Sequence, residues 1–74
     1  MSHPTRLPFI SGHLALVRAG KLLPLEVLHS ASGHYIGTRE GGRNVSRESR
    51  EYFRSYAAGL RALKHGAWSQ LTVN

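Results

Sequence analysis

Residues 32–47 read Ser32-Gly33-His34-Tyr35-Ile36-Gly37-Thr38-Arg39-Glu40-Gly41-Gly42-Arg43-Asn44-Val45-Ser46-Arg47. Tyr35 and Ile36 are strong β-formers, and glycine-bearing segments bracket them. Ala31-Ser32-Gly33 reads as one reversal and Glu40-Gly41-Gly42-Arg43-Asn44 as the next turn or loop. His34 to Glu40 is therefore expected as a strand held between two reversals. Strands joined by short turns pair antiparallel, so the fold is read outward from here as a meander.

Upstream, Leu22 to Ser30 is expected as the preceding strand, its start restricted by Pro24, which cannot donate a ladder hydrogen bond. Ala19-Gly20-Lys21 can turn the chain, because Gly20 tolerates positive φ. His13 to Arg18 is a short β-prone run, expected as a further strand. Residues 1–12 hold Pro4, Pro8, Ser11 and Gly12 and read as a flexible arm that Phe9 and Ile10 can pin to the body.

Downstream, two readings stay open. Tyr52, Phe53, Tyr56, Leu60 and Leu63 recur at helical spacing, so one helix capped by Ser46 can run from Arg47 to His65. Alternatively residues 45–53 form a fourth strand and Ser55 caps a shorter helix from Tyr56 to His65. Gly66 stops the helix in both. The expected class is α+β: an antiparallel meander of three to four strands with one C-terminal helix packed on one face. Residues 13–68 form the single domain, Trp68 folds back on the sheet as a lid, and residues 69–74 form a frayed tail.

At 74 residues the chain holds one domain at most. A domain of this size buries only about 60–65% of the surface exposed by its unfolded chain, so the core is thin. There is no cysteine to reinforce it, and self-association is one way to stabilise so small a body. The longest apolar run, Leu14 to Val17, falls far short of the roughly 20 residues of a membrane span. With a polar N-terminus and no apolar leader segment, the expectation is a cytoplasmic protein with no membrane partner.

The formal charge is +6, and Arg39, Arg43, Arg47, Arg50, Arg54 and Arg61 cluster in the second half. Glu40, Glu48 and Glu51 are interleaved with them, the pattern expected of intramolecular ion pairs. In the fourth-strand reading, alternation sets Arg47 and Glu51 on one face and Arg50 with Glu48 on the other.

No catalytic constellation emerges. Glu48 and Glu51 sit among arginines, which keep carboxyls ionised and unfit as general acids. Ser46, Ser49 and Ser55 sit in cap-like or solvent-facing contexts, with no nucleophile elbow. Gly37, Gly41 and Gly42 lack the Gly-Lys-Ser/Thr ending of a phosphate loop. His29 and His34 can approach each other across a hairpin, yet no third ligand stands at a fixed spacing. No enzyme activity, cofactor, metal or small-molecule substrate is expected. The candidate site is a nucleic-acid-binding surface of Tyr35, Arg39, Arg43, Arg47 and Arg50, with arginines on phosphates and tyrosine on sugar or base. The competing expectation is a protein partner or a second copy of the chain, since exposed Tyr and Arg anchor interfaces.

The segments Lys21-Leu22-Leu23-Pro24-Leu25-Glu26-Val27-Leu28-His29-Ser30, Gly33-His34-Tyr35-Ile36-Gly37-Thr38, Val45-Ser46-Arg47-Glu48-Ser49 and Glu51-Tyr52-Phe53 carry a resemblance. With Gly66-Ala67-Trp68-Ser69-Gln70, they resemble small uncharacterised plasmid- and prophage-encoded proteins and the KfrB-type domain of plasmid maintenance proteins, over most of residues 12–70. In that group a proline usually follows the residue matched by Phe53; here it is Arg54. The resemblance implies an accessory protein of a mobile element and lends no catalytic residue. The expected function is thus a small basic, non-enzymatic binding module contacting DNA. Its alternative is a protein-interaction or self-association module with no nucleic-acid role.

Overall fold

Strand β2 (Gly33–Glu40) is the centre of the sheet and pairs antiparallel on both sides, with β1 (Glu26–Ser30) and β3 (Arg43–Arg47). The computed structural model describes residues 11–72; of the arm expected over residues 1–12, positions 1–10 lie outside them, as does the chain end at 73–74, while Ser11 bridges to Pro24 and Gly12 N–H donates to the Leu23 carbonyl at 2.9 Å. Helix α1 (His13–Ala19) precedes the strands and helix α2 (Tyr56–His65) follows them. The protein is α+β: one open three-stranded sheet in the order β1-β2-β3 plus two helices.

Both reversals are two-residue turns. Ala31 and Ser32 connect β1 to β2, closed by the Ser30 hydroxyl, which donates to the Gly33 carbonyl at 3.1 Å. Gly41 and Gly42 connect β2 to β3 with φ of 58° and 80°. Positive φ at both central residues is the twist-matched hairpin turn, which glycine enters at little steric cost. One extra residue, Val45, sits in β3 between the Thr38–Ser46 and Arg39–Asn44 pairs as a β-bulge.

The fourth strand is only begun. Regular pairing stops at Arg47, and the alternation expected for Arg47 to Glu51 stops with it. The N–H groups of Glu48 and Ser49 both donate to the Ile36 carbonyl, at 2.8 and 3.0 Å. The Ile36 N–H then finds the Ser49 hydroxyl at 3.0 Å, a side chain standing where a strand carbonyl would be. Pairing resumes at Phe53, which exchanges two backbone hydrogen bonds with His34. The uninterrupted helix from Arg47 is thereby ruled out. The shorter helix is present as read: Ser55 accepts the Ala58 N–H at 3.0 Å and Gly66 closes the end in the left-handed conformation.

His13 to Arg18, read as β-prone, is instead helical, as α1. Local alternation lost to a distant partner. The Glu48 carboxylate takes the Leu14 and Ala15 N–H groups at 2.9 and 3.0 Å, and the left-handed Gly20 ends the helix. Leu14 and Ala15 are buried beneath it.

Alternation sets Val27, His29, His34 and Ile36 on the sheet face that α2 covers. On the opposite face Leu28 and Tyr35 are buried, with the Tyr52 ring edge-on to Tyr35 at 6.2 Å. Ile36 is fully buried, worth about 2 kcal/mol. The tail is not frayed over residues 69–71. Arg50 N–H donates to the Ser69 carbonyl at 2.9 Å, Leu71 N–H donates to the Glu48 carbonyl at 2.6 Å, and Ser49 and Gln70 form a bridge. Trp68 is half-buried.

Candidate functional site

The five residues expected to meet nucleic acid do not form one open surface. Tyr35 is only 6% exposed, and its hydroxyl accepts the Asn44 amide at 2.8 Å. Burial pushes its pKa up, aided by the neighbouring Tyr52 and opposed by the Asn44 donor. Its ring is thereby withdrawn from stacking on a base. Arg39 pairs with Glu26 at 3.1 Å. Arg47 is folded inward: it donates to the Ser49 and Arg50 carbonyls and to the Tyr52 hydroxyl, and its guanidinium lies 4.6 Å from the Tyr52 ring centre. Arg50 reaches back to the Gln70 carbonyl and the Thr72 hydroxyl, both at 3.3 Å. Arg43 stands exposed beside the Gly41-Gly42 turn.

The interleaved glutamates do not pair with the arginines between them. Glu40 pairs with Lys21 at 2.9 Å. Glu51 accepts the Ser69 N–H on both oxygens at 3.0 Å, which holds its carboxyl below the ordinary range. Glu48 is fully buried. Burial alone would raise its pKa, but the Leu14, Ser46, Gln70 and Ala15 donors outweigh that and hold it low. Ser46 donates to Glu48 Oε2 at 2.6 Å and Gln70 donates to Oε1 at 2.7 Å. This carboxylate ties together α1, the end of β3 and the C-terminal segment.

The histidine pair of the β1–β2 hairpin does meet. His29 and His34 sit opposite in the register with ring centres 4.4 Å apart, stacked at 30°. Stacked rings set their nitrogens side by side rather than toward one point, and His34 Nδ1 is buried without a hydrogen-bond partner among the described residues. Among the described residues no group of three or more His, Asp or Glu side chains is placed to hold a metal.

The outer face of α2 offers a different surface. Gly59 and Ala62 are the residues buried against the sheet, and a Cβ on Gly59 would stand 2.8 Å from Val27 Cγ1. The small side chains let α2 lie close on β1. The cost is that Tyr56 and Leu60, on the helical stripe read from the sequence, are left 54% and 43% exposed. Leu60 joins Leu25, Leu63 and the stem of Lys64 around an open groove of about 420 Å³. Arg61 and His65 line a second, adjoining groove that shares Leu60 and Lys64 with it, and the chain has no acidic residue after Glu51. The sequence did carry a signal for this arrangement. Ala58, Gly59 and Ala62 form a run of small residues beside the large apolar ones, and close approach to a sheet selects the small ones. Among the described residues no helix is long and apolar enough to cross a membrane. No family model, curated protein or solved structure matches the chain.

Proposed function

We propose that this chain is a non-enzymatic protein-binding module whose working surface is the outer face of α2. The observation that carries the reading is the inversion on α2: small residues inward, and Leu60 left half-exposed on the wall of an apolar groove with Leu25 and Leu63. Exposed apolar surface flanked by charge marks interaction sites. Glu48 and Glu51, held ionised by backbone and side-chain donors, are not poised as general acids. The resemblance to plasmid and prophage proteins supports an accessory protein of a mobile element, acting in the cytoplasm.

DNA contact is the second reading. It is favoured by Arg18, Arg43, Arg54, Arg61 and Lys64, which make no ion pair among the described residues. Photo-cross-linking separates the two. A benzophenone side chain at position 60 is expected to give protein adducts that unlabelled protein competes away. DNA adducts from position 43, with none of any kind from position 60, would transfer the function to nucleic acid.

A further inference from the structure

We infer that the α2 groove receives an acidic amphipathic helix supplied by a different protein, an inference that rests on the protein-binding reading above. The groove is lined by Leu25, Leu60 and Leu63 with Lys64 at its edge, and Arg61 lines an adjoining groove that shares Leu60 and Lys64 with it. Such a surface selects a ligand with apolar anchors on one face and carboxylates beside them. Phosphate alone would use the cations and leave the leucines wet.

This chain offers little complementary charge. Its four acids are Glu26, Glu40, Glu48 and Glu51. Glu26 is paired with Arg39 and Glu40 with Lys21. Glu48 is buried under α1, and Glu51 is taken by the Ser69 N–H. A second copy would therefore bring Arg61 and Lys64 against cations of its own kind. Residues 1–25 contain no acid at all, so neither the N-terminal segment nor the exposed Leu16 and Val17 of α1 can answer these cations. Charge complementarity thus favours an acidic partner over the homotypic occupants.

The test uses the full chain, isotope-labelled, and a synthetic helical peptide of about 18 residues with leucines on one face and glutamates flanking them. Binding is expected to shift the amide signals of Leu25 and of Leu60 to Lys64, and to weaken with salt. Leu60→Glu and Lys64→Glu are each expected to weaken it at least about ten-fold. Position 60 is exposed, so its variant should keep the native spectrum elsewhere. Any of four results would overturn the inference: no binding; equal binding by the peptide with its leucines changed to alanine; equal binding by the peptide with lysines in place of glutamates; or signals moving on the sheet instead. Sedimentation showing a dimer that Leu60→Glu dissolves would assign the groove to a second copy. Movement of the Leu60 signal on Phe9→Ala alone would assign it to the chain's own N-terminal segment. If these peptides fail while competed protein adducts still form from position 60, the protein-binding reading stands and only the acidic helix is lost.

Discussion

The carboxylate of Glu48 holds the backbone N–H of Leu14 at 2.9 Å across 34 positions of sequence. With Ala15 N–H on the other oxygen, it caps a helix whose own N-cap, Gly12, has no side chain to do so. A buried carboxylate with this many donors is costly to remove, because each donor left behind stays desolvated. Glu48→Ala is expected to lose about 2–4 kcal/mol, read by urea denaturation. Amide exchange at Leu14 and Ala15 should accelerate more than exchange in β1. Unchanged protection there would show that α1 does not depend on Glu48.

The same carboxylate sets the acid limit. Glu48 and Glu51 both titrate lower in the folded chain than in the unfolded one. The folded state therefore binds fewer protons at low pH, and its stability is complete above the ordinary glutamate value near 4.5. It declines as the pH falls through the depressed values. Thermal melts should be flat in this contribution from pH 7 to about 5 and drop below about 4.5. Glu48→Gln should flatten that drop. A stability loss beginning near neutral pH would point to other groups.

Gly59 is expected to tolerate no side chain, although glycine is a poor helix former. Alanine would gain up to about 1 kcal/mol of propensity. Its Cβ, however, would stand 2.8 Å from Val27 Cγ1, a short branched side chain that cannot swing away. Gly59→Ala should be net destabilising, and Gly59→Val should cost about 2–3 kcal/mol. A stabilised Gly59→Ala would mean that α2 sits less tightly on the sheet.

Arg47 and Arg43 should behave differently. Arg47→Ala removes the donors to two carbonyls and to Tyr52, and about 1–2 kcal/mol of stability is expected to go with them. Arg43→Ala, at an exposed position beside the glycine turn, should change stability by less than about 0.5 kcal/mol. Equal, small effects from both would return Arg47 to the list of outward-facing contacts.

The legible and illegible parts of this chain divide by range. The glycine turns, β2 and the Ser55-capped helix are written in adjacent residues, and local chemistry suffices to read them. Helix α1 is not, because its N-terminal partner lies beyond β3. The arginines read as an open cluster because Glu26, the partner of Arg39, and Gln70, the partner of Arg50, lie 13 and 20 positions away and become neighbours only in the fold. Leu60 sits on an apolar stripe at helical spacing, but which part of that stripe faces inward depends on how closely α2 approaches Val27. That distance is set by Gly59, not by the hydrophobic pattern.

The most direct test of a protein-binding α2 face is the comparison of photo-adducts from positions 60 and 43 in the same cell extract. The expected result is protein adducts from position 60, competed by unlabelled protein, with none of them from position 43. Nucleic-acid adducts from position 43 alongside a silent position 60 would contradict it.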